Sequence, residues 1–344
     1  MFQRILVPLS GFPRSEFVTP IAARLARSAG GEITLLRVTS GPGGASPREF
    51  AEWEKRYAAA MDYLSRIAAR EEFAGLQTSI SVREGPAISE ILAAAASASA
   101  DLIILGRQGR SGEPGQARER LAERVTRDAT ASVLLIREPQ SPLTRMRAGQ
   151  TCALRILIPL DGSLLAETAL LPAAELLEAL GDPEGSGLHL SRIIPDERMW
   201  RESARYLAHV AEQVRAGALM GRPFNVTWSV IPHVDPAGAL IRVAEMGESS
   251  DELTTWSVAR DLGRPREGAT TPAQSPARGA DFHHCDLIGL TTHGHGGLRR
   301  MILGSVAERL LRDTTVSLLL VRRTPDEAQA PLLTREPDVE QWRA

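Results

Sequence analysis

One run of residues occurs twice, and that repetition limits what this chain can fold into. Ile5-Leu6-Val7-Pro8-Leu9-Ser10-Gly11 returns as Ile156-Leu157-Ile158-Pro159-Leu160-Asp161-Gly162, 151 residues later. Ile33–Val38 is echoed by Leu188–Ile193 at an offset of 155, and Pro86 and Ile91 by Pro236 and Ile241 at 150. Asp101-Leu102-Ile103, Ala122-Glu123-Arg124 and Val133–Arg137 recur as Asp286-Leu287-Ile288, Ala307-Glu308-Arg309 and Leu318–Arg322, now 185 residues on. Such a chain buries the same apolar pattern twice. The offset jumps by about 35 between Ile241 and Asp286, so the second repeat carries an insertion running roughly from Val243 to Asp281. The 344 residues divide into units at 1–139 and 153–324, a linker at 140–152 and a tail at 325–344.

Within each repeat, short apolar runs alternate with longer amphipathic stretches. In the first repeat the runs are 4–9, 33–38, 78–82, 102–105 and 133–136. Between them lie helical patterns such as Val18, Ile21, Ala22 and Leu25, spaced i, i+3, i+4 and i+7. The runs are apolar at nearly every position, as in strands buried on both faces of a parallel sheet. This alternation predicts a doubly wound α/β sheet in each repeat, with ligands beyond the carboxyl ends of the strands. The segment 138–152 holds Pro139, Pro142 and Gly149 without apolar periodicity and reads as a linker. The insertion, with Gly263, Pro265, Gly268, Pro272, Pro276 and Gly279, reads as a surface loop. The tail reads as loosely held.

Charge and composition exclude several partner classes. Forty basic against 42 acidic residues leave a net charge of -2, which disfavours nucleic acid and anionic membrane as partners. Two cysteines, Cys152 and Cys285, make no disulfide framework. No apolar run reaches the ~18–20 residues that span a bilayer, and Met1 leads directly into a strand pattern. A cytoplasmic location is expected.

The chemistry concentrates at the end of the fourth strand of the second repeat. Thr291-Thr292-His293-Gly294-His295-Gly296-Gly297 is followed, ten residues after Gly294, by Gly304-Ser305-Val306-Ala307-Glu308. Glycines after a strand let backbone N–H groups approach phosphate oxygens closely. Gly304-Ser305 opens a helix, and Ser305 with Glu308 has the spacing of a capping box. The unpaired N–H groups and dipole of that helix favour an anion. Asp161, ending the first strand, faces the same crevice and can accept hydrogen bonds from ribose hydroxyls.

These residues resemble the universal stress protein family, whose nucleotide-binding members carry Gly, two residues, Gly, nine residues, then Gly with Ser or Thr. Gly294, the spacer 295–303, Gly304 and Ser305 match, while Thr291 stands at the first glycine. Asp161-Gly162-Ser163 and the run from Gly304 to Arg309 also resemble the family, and the likeness covers both repeats. It implies two Rossmann-like domains, each a five-stranded parallel sheet flanked by helices, paired within the chain through their last strands as a pseudo-dimer, with a homodimer as a further option. It implies ATP or a related adenine nucleotide, with Mg as a companion ion, in a stress-response regulatory protein. Carried over by position, Pro159, Asp161 and Ile193 contact adenine and ribose, and Gly294, Gly304, Ser305 and Val306 hold phosphates. Leu160, Leu290, Thr291 and His293 complete the set. A scaffold working without nucleotide and a slow ATPase are the alternatives; only Asp161 and His293 could activate water.

The first repeat departs from that pattern. Gly106-Arg107-Gln108-Gly109 keeps two glycines, but Glu119-Arg120 replaces Gly-Ser, Pro114 and Gly115 disturb the loop, and Ser10 replaces the aspartate. Its nucleotide site is expected to be lost, with anion binding by Arg107, Arg110, Arg118 and Arg120 as the rival idea. His283, His284 and Cys285 near His293 and His295 match no metal template. No Gly-x-Ser-x-Gly elbow and no Walker lysine occurs, Lys55 being the only lysine. The stretches 47–72, with Trp53, Tyr57, Met61 and Leu64 at helical spacing, and 197–220 read as core-facing helices, or else as a groove for a partner.

Overall fold

A computed structural model describes residues 2–41, 46–107, 114–137, 143, 152–221, 223–247, 284–293, 304–323 and 333. Its strands are β1 (Arg4–Pro8), β2 (Glu32–Thr39), β3 (Gln77–Glu84), β4 (Leu102–Arg107), β5 (Ser132–Arg137), β6 (Arg155–Pro159), β7 (Gly187–Ile194), β8 (Val226–Pro232), β9 (Leu287–His293) and β10 (Ser317–Arg323). They form one ten-stranded sheet in the order β3-β2-β1-β4-β5-β10-β9-β6-β7-β8. The helices are α1 (Thr19–Ala29), α2 (Pro47–Ala68), α3 (Ala87–Ser97), α4 (Pro114–Asp128), α5 (Leu164–Glu167), α6 (Leu170–Leu180), α7 (Trp200–Arg215), α8 (Pro236–Met246) and α9 (Ser305–Asp313).

Neighbouring strands run parallel within each repeat, as the apolar runs predict. The antiparallel pair is β5 with β10, in register at Leu135–Leu318, Leu134–Leu319 and Val133–Leu320. β5 is buried at all six positions. Leu134 and Ile136 join a core shared with α1, α2, α6 and α7, while Val133 and Leu135 join one shared with α3, α4, α8 and α9. Both layers of helices therefore rest on a sheet that runs through the two repeats.

Two buried arginines fasten this seam. Arg137 of β5 donates to the Thr314 carbonyl and, at 2.5 Å, to the Leu311 carbonyl, at the C-terminus of α9. Arg322 of β10 donates to the carbonyls of Thr126 (2.7 Å) and Arg127 (3.1 Å), at the C-terminus of α4. Helix C-termini leave carbonyls unpaired and carry partial negative charge, so a guanidinium satisfies both needs there. Each arginine serves the other repeat's last helix. Burial lowers the Arg322 pKa from its ordinary value.

Four expectations change. Strand β3 is not buried on both faces; it is an edge strand with Gln77 and Ser79 exposed. The insertion starts later than Val243, because α8 continues to Met246 and buries Val243 and Ala244 completely. Leu143 of the linker and Leu333 of the tail are buried in the larger core, so those stretches touch the body there. The helix predicted over 47–72 ends at Ala68, and Trp53 and Tyr57 are not core residues. With 22 residues, α2 is roughly 33 Å long, whereas the eight residues of β2 span about 26 Å, so its first turns overhang the sheet. The rest of the linker, the insertion over 248–283 and the rest of the tail lie outside the described residues.

Replacing Arg322 by Ala strips two buried carbonyls of their donor. Urea denaturation is expected to show a loss of about 2–4 kcal/mol, against a smaller loss for Arg322→Lys.

Candidate functional site

In the second repeat the chain winds outward from β6 to β7 and β8, then returns on the other side of β6 as β9. The crevice between the carboxyl ends of β6 and β9 is thus a topological switch point. Pro159 closes β6, and Leu160 is buried beneath the loop that follows. Asp161 is exposed at the crevice, its Oδ1 accepting from the Ser163 N–H at 2.8 Å. Ser163 in turn caps α5, its Oγ accepting from the Ala166 N–H at 3.1 Å. Gly162 supplies the left-handed turn, with φ +93°, that aims this carboxylate outward.

Three side chains that sequence reasoning missed stand beside it. The Arg192 guanidinium lies 5.3 Å from the centre of the Tyr206 ring and within 3.3 Å of where a Cβ on Gly162 would be. The Tyr206 hydroxyl donates to Glu167 Oε1 at 2.9 Å. Burial first, and Glu167 second, push the Tyr206 hydroxyl far above the usual phenol range. The first repeat builds the same cluster, with Arg37 5.8 Å from the Tyr63 ring, Tyr63 donating to Glu16 at 3.1 Å and Arg70 paired with Glu16. Burial lowers the pKa of Arg37 from its ordinary value. The signal was legible: Arg37 and Arg192 share the 155-residue offset, and Glu16 and Glu167 the 151-residue offset.

On the other wall, Ile193 and Leu290 face the layer of α8 and α9. Thr291 points to the opposite face, where its hydroxyl meets that of Thr168 at 3.0 Å. Its side chain therefore does not project toward α9. In the first repeat the positions of this pair hold Gly106 and Phe17, and the Phe17 ring lies where a Gly106 Cβ would be, at 2.8 Å. A small–large pair has replaced a hydroxyl pair. His293 ends β9 opposite Arg323, its side chain outside those described, while Gly294, His295 and the spacer 295–303 lie outside the described residues.

Gly304 is the N-cap of α9, with open space around the position of its missing Cβ. The capping box does not form. Ser305 is the first residue inside the helix, where its hydroxyl makes no cap bond, and Glu308 turns to Arg127 of the first repeat at 3.3 Å. Among the described residues, the leading N–H groups of α9 thus have no side-chain cap. Val306 packs against the smaller core. Arg309 fixes the helix by donating to Asp235 Oδ1 at 2.6 Å, and Asp235 caps α8 through the Gly238 N–H. That N–H and Arg309 hold the Asp235 carboxyl below its usual range. In the first repeat, α4 starts at Pro114, so Glu119 lies inside a helix instead of facing a phosphate loop at its start. The helix starts six residues, roughly 9 Å, before the matching position. Side chains of Arg107, Arg110, Arg118, Glu119 and Arg120 are outside those described.

The sequence profile of the universal stress protein family matches residues 1–137 and 265–322, more than half of the chain. The chain belongs to the universal stress protein family. A universal stress protein of Methanocaldococcus jannaschii is 27% identical over 158 residues, covering 42% of this chain and 88% of its own. The crystal structure of a universal stress protein from Archaeoglobus fulgidus aligns over 95% of this chain and 99% of its own, with a TM-score of 0.58 and 19% identity. A putative universal stress protein from Pseudomonas aeruginosa aligns over 96% of each chain, with a TM-score of 0.54 and 16% identity. The two structural likenesses are of fold. Among the described residues of this universal stress protein, no helix is long and apolar enough to cross a membrane, and no three His, Cys, Asp or Glu side chains group as metal ligands.

The tyrosine clusters set an alkaline limit. The Tyr63 hydroxyl is pushed up to about 12, by burial first and Glu16 second, from an ordinary 10.0. Between those values the unfolded chain loses its proton first, so stability is full below the lower one and falls as pH rises toward the upper. Tyr63→Phe is expected to flatten that decline in urea titrations across this range.

Proposed function

We propose that this protein is a tandem universal stress protein that binds ATP or a related adenine nucleotide in its second domain, 153–324, as a stress-response regulator. The first domain, 1–139, is then a structural partner, and the two pair through β5 and β10 as a pseudo-dimer within one chain. The observation that carries this reading is the uncapped start of α9 at Gly304, open beside a switch-point crevice whose opposite wall presents Asp161. An anion gains from both the free N–H groups and the helix dipole. A ribose hydroxyl gains from the carboxylate. Pro159, Leu160, Ile193 and Leu290 supply the apolar wall for adenine, while Gly294, Gly304, Ser305, Val306 and His293 take the phosphates. Arg192, braced on Tyr206, stands within reach of the same loop as a counter-charge. Mg would enter with the triphosphate.

Thr291 is compatible with this reading, because its hydroxyl is engaged with Thr168 on the far face of the sheet. The same geometry argues against a nucleotide in the first domain, where helix α4 begins too early to present its N-terminus at the corresponding place. Hydrolysis has weaker support, since Asp161 is tied to the Ser163 N–H in a turn that orients it as an acceptor.

Thermal unfolding with ATP decides the matter. At about 100 times Kd, ligand should add roughly 2.7 kcal/mol of stability. Gly304→Glu fits the open space at that position and sets a carboxylate at the helix start, so it should abolish the shift while leaving the unliganded transition in place. Arg192→Ala should weaken binding by about tenfold, the scale of one charge-assisted contact. Absence of a shift with every adenine nucleotide tried would leave the scaffold reading in its place.

A further inference from the structure

The clusters beside the two glycine turns keep one architecture and carry opposite charge. Arg37 matches Arg192, Glu16 matches Glu167, and Tyr63 matches Tyr206. Two other matched positions differ. Ser10 stands where the second repeat has Asp161, and Arg70 where it has Gln213, which shares the 143-residue offset of the tyrosines. The first cluster thus sets Arg37 and Arg70 against Glu16 and is net positive. The second sets Arg192 against Asp161 and Glu167 and is net negative. Both replacements shift the first crevice in the same direction. They also leave Arg37 without a counter-ion. Arg70 takes Glu16, which accepts from the Tyr63 hydroxyl as well, at 3.1 Å. Arg37 keeps the Leu9 carbonyl at 3.5 Å and the face of the Tyr63 ring, and among the described residues it forms no ion pair. It is half-buried, which disfavours its charge.

The turn beside this guanidinium offers further donors. Gly11 has φ +77°, and Arg37 occupies the place that a Cβ on Gly11 would need, so the cation lies directly against the turn. Ser10 gives its N–H to Ser15 Oγ at 3.1 Å. Among the described residues, the Ser10 hydroxyl and the Gly11 N–H have no partner. In the second repeat the same turn carries its own acceptor, the Asp161 carboxylate. We infer that the first repeat binds a phosphate-sized oxyanion at Arg37, the Ser10 hydroxyl and the Gly11 N–H, beside the position where the second repeat carries Asp161. A tetrahedral oxyanion can accept from a guanidinium fork and from turn donors together. Inorganic phosphate and the phosphate of a small ester share this chemistry. The site uses neither α4 nor the loop before it, and it does not depend on nucleotide binding in the second repeat.

Phosphorus NMR of the full chain tests this, with Gly304→Glu present to remove the phosphate seat proposed at α9. Inorganic phosphate added at constant ionic strength should still broaden saturably, with a Kd on the order of 1 mM, the strength of a few charge-assisted hydrogen bonds. Adding Arg37→Gln should weaken that binding about tenfold. Ser10→Asp should do the same with the thermal transition in place, because it writes the second repeat's own carboxylate into a loop outside the core. Glycerol phosphate titrated in parallel separates the two sources: tighter binding than inorganic phosphate marks an ester, weaker binding the free ion. No saturable binding in the Gly304→Glu chain, or binding that survives both Arg37→Gln and Ser10→Asp, would overturn the inference. Since Gly304→Glu is present throughout, failure of ATP to bind the second repeat has no bearing on either result.

Discussion

The antiparallel contact between β5 and β10 is the constraint around which the molecule is arranged. A parallel sheet of five strands ends in an apolar edge, and here each repeat would expose one whose residues point into two cores. Joining the edges removes both liabilities in one step. The joint brings the C-termini of α4 and α9 close to the opposite repeat, where their last carbonyls face a dry interior. Arg137 and Arg322 answer this by donating across the seam, and Ser317 and Ser132 accept the backbone N–H groups of Arg137 and Arg322, each at 3.1 Å. The exchange is reciprocal, so neither repeat completes its polar satisfaction without the other.

On this shared frame the two crevices have diverged by moving a helix start. Both keep the glycine turn after the first strand and the glutamate–tyrosine–arginine cluster beside it. Two places differ, one on each face of the sheet. Phe17 over Gly106 fills with a ring the place where Thr168 and Thr291 exchange a hydrogen bond. Helix α4 has 15 residues and α9 nine, the extra turn and a half lying at the end where an anion would bind. A difference of this kind between the two crevices needs no change in the sheet.

Architecture was legible because it is written in period and repetition. Runs of buried residues at 5–7, 102–105 and 133–136 read as parallel strands, and the matching offsets located their counterparts. Side-chain direction was harder. The Ser305–Glu308 spacing fits a capping box, but Gly304 took the cap and Glu308 a partner from the other repeat, 181 residues away. Trp53 and Tyr57 have core spacing, yet a helix longer than the sheet beneath it leaves them outside. Arg192 was legible only as the repeat of Arg37; an arginine inside an apolar run carries no spacing rule, and its tertiary neighbours, Gly162 and Tyr206, give it meaning.

The seam and the crevice also share a helix. A helix C-terminus carries partial negative charge, which a cation beside it stabilises. In α9 that end is held by Arg137, whose guanidinium donates to the carbonyls of Leu311 and Thr314 from a buried position. The other seam arginine reaches the crevice strand directly, Arg322 donating to Thr292 Oγ1 at 2.6 Å, one residue beyond Thr291. The first repeat thus contributes a charge to the helix that opens the second repeat's crevice, and Arg322 ties the last turn of α4 to the end of β9. The second repeat's crevice is therefore built partly from the first repeat.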